Sequence, residues 1–183
     1  MKSLGDYIHS KGLKYGIYAS AAETTCSGKA GTLGNEEIDA QDWADWGVDY
    51  LKYDSCYNGE IPGRVRYHTM QQALNKTGRN IFFSIGDGGE ADLYEWAPST
   101  GNSWRTTSDI SGNWFSVWRN FVYNEIHANL SHPGGWNDPD MLEVGNGWFL
   151  TLEMEKSHFA LWAIAKAPLI LGCDLETVSN SSL

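Results

Sequence analysis

Positive charge is in short supply in this sequence. Lys and Arg number 13 against 23 Asp and Glu, a net charge of -10. Nucleic acid and anionic membrane surfaces both require basic patches, so neither partner is expected and a neutral substrate fits better. Long apolar runs are also missing, and none approaches the roughly 20 residues of a membrane span. No leader is visible at Met1, where the chain reads as mid-helix, so a further N-terminal segment is expected upstream. The five histidines, at 9, 68, 127, 132 and 158, are scattered and lack the H-E-x-x-H spacing of a zinc site. Each reads as a surface or packing residue, and no metal or cofactor is expected. The sequence has no G-x-S-x-G elbow and no Gly-rich phosphate fingerprint after its first strand. Cysteines are few: Cys26, Cys56 and Cys173. Cys26 and Cys56 have no neighbouring histidine, which argues against a thiol nucleophile. In an oxidising compartment these two could pair, leaving Cys173 over.

Aromatic residues, by contrast, are plentiful. Nine Trp, nine Tyr and six Phe suit core packing first, and stacking platforms for ring-shaped ligands such as sugars second. Three N-x-Ser/Thr sequons, at Asn75, Asn129 and Asn180, favour a secreted protein. The 183 residues allow one substantial core. Nothing in the sequence specifies an oligomeric state.

Helical and strand patterns alternate along the chain. Helices are expected at 1–11, 35–46 (capped by Asn35), around Tyr67–Leu74, at 92–97, around Trp118–Ile126, and at 154–166. Strands are expected at 14–19, 50–54, 80–85, 103–107, from Trp136, and at 168–171. Alternation without hairpin signals means parallel strands joined by crossover helices. At about 30 residues per unit the chain holds about six units. That is either a six-stranded open sheet or a (β/α)8 barrel with two units missing.

Acidic residues recur where strands end: Asp54, Asp87, Asp109, Asp138, Asp140 and Asp174. Chemistry in parallel α/β folds sits at these C-terminal ends, although Asp is also a good helix N-cap. Asp138 and Asp174 are the best cap candidates. Lys52 and Asp54 share one face of their strand, either as a structural ion pair or as a cation that keeps a nucleophilic carboxylate ionised. Two carboxylates across a cleft suit glycoside hydrolysis, with one attacking the anomeric carbon and the other protonating the leaving oxygen. Asp54 fits the nucleophile and Asp109 the acid. An acid must hold a proton, so Arg105 is expected to face substrate hydroxyls or the Asp54 side rather than Asp109.

The motifs Lys14-Tyr-Gly-Ile-Tyr18, Thr25-Cys26, Trp46 to Cys56, Trp104 to Ile110, Gly134 to Leu142 and Ala165 to Gly172 together resemble glycoside hydrolase family 27, the α-galactosidases and α-N-acetylgalactosaminidases. The resemblance runs nearly end to end. It implies an α/β fold, a partial (β/α)8 TIM barrel of about six of the eight βα units, strands three to eight, forming one catalytic domain over 1–183. It implies a retaining double displacement on terminal α-D-galactosyl residues, with Asp54 as nucleophile and Asp109 as acid/base. It also implies sugar contacts from Lys52, Arg105, Asp140, Tyr18 and Asp87, and a Cys26–Cys56 disulfide tying two loops together.

The chain departs from the family pattern in three places. The first two strands, with a tryptophan and an Asp-Asp pair, and the C-terminal β-sandwich are not in the sequence. The loop Ser84-Ile-Gly-Asp-Gly-Gly89 has Gly86, Asp87 and Gly88 where the family usually has Cys, an acid or amide, and Trp; Gly101 stands where some members have a partner Cys. Ser20 replaces a frequent Asp. Action on an α-N-acetylgalactosaminide or a β-L-arabinopyranoside, or an inactive carbohydrate-binding product, are the alternatives. The chain in isolation is expected to be unstable and poorly active.

Overall fold

The computed structural model describes residues 1–88, 92–146 and 149–182, so Gly89 of the departing loop lies outside the described residues. The chain divides into two compact units, Met1–Asn102 and Ser103–Leu183. The first contains α1 (Lys2–Ser10), β1 (Gly16–Ser20), α2 (Glu36–Trp46), β2 (Tyr50–Asp54), α3 (Gly63–Lys76), β3 (Phe82–Gly86) and α4 (Leu93–Thr100). The second contains β4 (Ser103–Arg105), α5 (Trp114–Glu125), β5 (Trp136–Asp138) and α6 (Leu152–Ala165).

In the first unit β1 pairs with β2 and β2 with β3, all parallel. The alternation of strand and helix therefore produces the parallel sheet it predicts. One face of this sheet carries Leu51, Tyr53, Phe83 and Ile85, all buried. These pack with Tyr67 and Met70 of α3 and Trp96 of α4. The opposite face carries three rows set by the register: Gly16, Tyr50 and Phe82; Tyr18, Lys52 and Ser84; Ser20, Asp54 and Gly86. Tyr50 and Phe82 stack with centroids 5.4 Å apart. The period of two in a strand thus puts core side chains on one face and the candidate site on the other.

Where the strands begin, Asp49 gathers donors. It accepts hydrogen bonds from Tyr15 N (2.9 Å), His9 Nε2 (2.7 Å) and Arg79 Nη2 (2.9 Å). Burial pushes its carboxyl up, but the bonds from Tyr15 and His9 and the charges of Lys14 and His9 outweigh that, so it titrates below its ordinary value. His9 is therefore a structural partner rather than a bystander.

In the second unit β4 and β5 pair in parallel. Its core is Val117, Leu142, Val144, Trp162 and Ala167. The expected strand at 168–171 does not form. Pro168 has no N–H for a ladder, and Leu171 makes a single parallel bridge to Leu142. The described residues hold five strands rather than six, and the expected sixth is reduced to this bridge. Asn35 stands at the N-cap of α2 as expected, although its side chain makes no cap bond. Two other capping expectations fail. Asp138 Oδ1 accepts from Asp140 N, and Asp174 Oδ1 from Glu176 N, both in turns rather than at helix starts. Helix α4 runs three residues past the expected 97, through Pro98.

His158 of α6 is fully buried and meets Trp162 edge-on at 4.1 Å. Its Nε2 accepts the N–H of Glu143 (3.0 Å), and burial lowers its pKa to about 4. Below the ordinary value near 6.5 the unfolded chain takes up a proton that the folded chain refuses. Stability conferred by the neutral ring is whole above pH 6.5 and is lost as pH falls through about 4. At about 1.4 kcal/mol per pH decade, that amounts to roughly 3 kcal/mol. Urea unfolding at pH 7 and pH 4 should show this loss, and His158→Gln, which keeps an acceptor for Glu143 N, should reduce it. An equal loss in the variant would assign the acid sensitivity elsewhere.

Candidate active site

Asp54 ends β2, and the sheet register fixes where it stands. Its Oδ1 accepts the N–H of Ser55 (2.9 Å), and its Oδ2 accepts the Tyr18 hydroxyl from β1 (2.8 Å). Burial first, then this bond and the charge of Asp54, push the Tyr18 phenol up to about 12, so Tyr18 acts as a donor. Cys26 and Cys56 form the disulfide that the resemblance implies. Cys26 Sγ lies 3.4 Å from Asp54 Oδ2. A disulfide sulfur carries no proton, so this contact is a wall rather than a hydrogen bond. It also rules out reading Cys26, Cys56 and Asp54 as a metal cluster, because both sulfurs are spent on each other. On the β3 side Gly86 leaves space. A Cβ there would stand 2.9 Å from Tyr53 O and 3.4 Å from Asp54 Oδ1.

Lys52 departs from expectation. Among the described residues it makes no ion pair with Asp54; its Nζ lies 5.9 Å from the centre of the Tyr18 ring. Sharing a face does not bring the two charges together, because the register sets Tyr18 directly beside Lys52. Asp87 departs as well. Its side chain is 0% exposed and ion-pairs with Arg66 Nη2 at 3.6 Å. The buried pair ties Asp87, at the start of its loop, to helix α3.

In the second unit Arg105 contradicts the expectation that it avoids Asp109. Its Nη2 donates to Asp109 Oδ1 (3.1 Å) and to Thr107 O (3.1 Å), and pairs with Asp140 Oδ2 (3.0 Å). The guanidinium is 7% exposed and the Asp109 carboxylate 97%, so Asp109 swings into solvent from a buried anchor. Asp140 is more tightly held. Oδ1 accepts Met141 N (2.8 Å), Oδ2 accepts Ile110 N (2.9 Å), and its carbonyl accepts Trp162 Nε1 (2.7 Å). Its φ of 90° is strained for a residue with a Cβ.

The sequence-predicted residues therefore form two groups. Tyr18, Lys52, Asp54 and the disulfide lie together in the first unit, and Arg105, Asp109 and Asp140 in the second. Sequence reasoning missed Arg66. It is 1% exposed in α3, yet an arginine in a helix with polar neighbours carries no signal of burial.

A family model described as Alpha galactosidase A matches residues 1–183. Alpha-galactosidase 2 of Arabidopsis thaliana is 53% identical over 181 residues, covering 98% of this chain and 46% of that protein. An alpha-galactosidase of Cyamopsis tetragonoloba is 52% identical over 183 residues, covering 100% of this chain and 44% of that protein. The structure is similar to that of an alpha-galactosidase from Saccharomyces cerevisiae, with a TM-score of 0.93 at 37% identity over 99% of this chain and 46% of that one. The chain spans about half the length of the curated relatives it matches.

The geometry around Asp54 makes two predictions. The disulfide closes a separation of 30 residues, for which loop-closure entropy gives roughly 3.5 kcal/mol. Replacing both cysteines by serine should cost about that much in a urea titration, and a cost near zero would refute it. In Asp54→Asn the Tyr18 phenol should titrate below about 12, because the carboxylate is gone while burial remains. A 13C-tyrosine NMR titration with an unchanged midpoint would mean that the bond is not made in solution.

Proposed function

This chain belongs to the alpha galactosidase A family, and from that premise we propose that it carries the catalytic machinery of a retaining α-galactosidase on part of a (β/α)8 barrel. The observation that carries the reading is the Asp54 carboxylate, set at the end of a parallel strand with one oxygen on Ser55 N and the other on Tyr18. Those two bonds leave lone pairs on both oxygens and fix the plane of the carboxylate. Identity near 50% to alpha-galactosidases of two plants supports the substrate class: a terminal α-D-galactosyl residue on a small or oligomeric galactoside.

In this reading Asp54 attacks the anomeric carbon as the bond to the leaving oxygen breaks, and Asp109 gives that oxygen its proton. The product of this step is a galactosyl ester on Asp54. Asp109, now ionised, takes a proton from water, which attacks the same carbon from the vacated face as the ester bond breaks, freeing Asp54 as a carboxylate and restoring the original configuration. Side chains supply both the nucleophile and the proton, so the chemistry requires no cofactor. Arg105 divides its guanidinium between Asp140 and the exposed Asp109. Exposed ion pairs are weak, so a sugar hydroxyl arriving at Arg105 can displace Asp109 and free it to hold the proton. Lys52 and Asp140 are the further hydroxyl contacts, and Asp87 is left out. The disulfide and the exposed sequon asparagines Asn75, Asn129 and Asn180 support a secreted protein.

Hydrolysis of an aryl α-galactoside tests the assignment. Asp54→Asn should lower kcat by at least on the order of 10^4 with the fold retained by circular dichroism. Asp109→Asn should lose about 10^2 to 10^4 on an unactivated galactosyl disaccharide and much less on a dinitrophenyl galactoside, whose leaving group needs no proton. NMR of the first-formed sugar should show the α-anomer. The β-anomer first, or substantial turnover in Asp54→Asn, would overturn the mechanism.

A further inference from the structure

We propose that Arg66 is a positioning residue for Asp54, acting as a clamp beneath three strand ends; the proposal rests on Asp54 being the nucleophile. The last row of the sheet is Ser20, Asp54 and Gly86. The next residue along each strand is Ala21, Ser55 and Asp87, and Arg66 contacts all three. Its Nη1 donates to Ala21 O (2.8 Å), and its Nη2 donates to Ser55 Oγ (3.1 Å) and pairs with Asp87 Oδ1 (3.6 Å). Its Nε donates to Ile61 O (2.7 Å), which fixes the guanidinium against the entry to its own helix.

Two of these contacts lead directly to Asp54, one to its carboxylate and one to its backbone carbonyl. Ser55 N holds Asp54 Oδ1, and Ala21 N donates to Asp54 O (2.8 Å). Arg66 therefore holds the residue that follows the attacking group and the neighbouring loop bonded to its carbonyl, without touching the carboxylate itself. The planar fork explains why arginine is suited to this place: a lysine ammonium is a point donor on a flexible stem and cannot span three loops at fixed angles. The third arm compensates for the departing loop. Gly86 and Gly101 preclude a disulfide there, and Asp87 ties the start of that loop to the same guanidinium.

The experiment measures single-turnover formation of the galactosyl-enzyme from an activated aryl α-galactoside, with rates normalised to titrated active sites. In Arg66→Lys the rate of ester formation should fall about 100-fold, the size expected for displacing a reacting group by about 1 Å, with KM little changed. Ser55→Ala removes one arm and keeps the cation. Its loss should be smaller, and the double variant should lose much less than the product of the two. Full additivity, or a normal ester-formation rate in folded Arg66→Lys, would overturn the clamp. Asp54→Asn run alongside separates the two ideas: if it still forms product the nucleophile reading fails, whereas if it is dead while the Arg66 variant is normal only the clamp fails.

Discussion

A guanidinium taken out of water must turn its N–H groups onto oxygen or lose several kcal/mol to desolvation. Arg66 meets that demand with two carbonyls, a hydroxyl and a carboxylate. The need to satisfy it is what draws three separate loops to one point. Removing any single acceptor would leave the rest of the cluster with a buried, less compensated charge, so the loops are coupled: each holds its place partly because the others hold theirs. The disulfide adds a covalent tie on the other side of Asp54, between the loop after β1 and the loop after β2. The carboxylate is thereby enclosed by constraints of two kinds, one electrostatic and one covalent.

The same sheet is fastened in the opposite sense where it begins. There the collector is an anion: Asp49 draws in Tyr15, His9 and Arg79, and its backbone carbonyl accepts Phe82 N at 2.8 Å. Donors converge on a carboxylate at one end and acceptors on a guanidinium at the other. Between them the strands are held by core packing on a single face, with the Tyr67 ring in contact with both Tyr53 and Trp96. Register therefore does not rest on the ladder hydrogen bonds alone. A slip of one residue would turn Asp54 into the aromatic core and Tyr53 out of it, and it would unmake both polar clusters.

Much of this was legible in the sequence, and the exceptions share a cause. The bounds of β2 and the identity of Asp54 followed from an apolar run that stops on an acid. Parallel pairing followed from alternation. What could not be read was anything set by the neighbouring strand. Lys52 is drawn to Tyr18 because the register makes them neighbours, and no spacing within one strand contains that information. Arg66 is invisible for the same reason: the acceptors that justify burying it lie 5, 11, 21 and 45 positions away in sequence. Arg105 and Asp109, four apart, were expected to diverge on chemical grounds, but they meet because Asp109 stands in solvent and costs little to hold.

Asp54 and Asp140 show one local device used twice. In each, one carboxylate oxygen accepts the N–H of the very next residue, Ser55 or Met141. That bond locks the first side-chain torsion against the backbone. It requires a backbone bent enough to present the following N–H, and at Asp140 the bend reaches a φ of 90°. Strain of about 1–3 kcal/mol persists only where the surroundings over-determine it, and Asp140 has bonds on its N–H, its carbonyl and both carboxylate oxygens. Glycine would adopt that φ freely, so the presence of an acid instead means that the carboxylate itself is what the strain supports. In both units the freedom of the carboxylate to swing away is removed before any ligand arrives, and a group already oriented loses less entropy when it reacts.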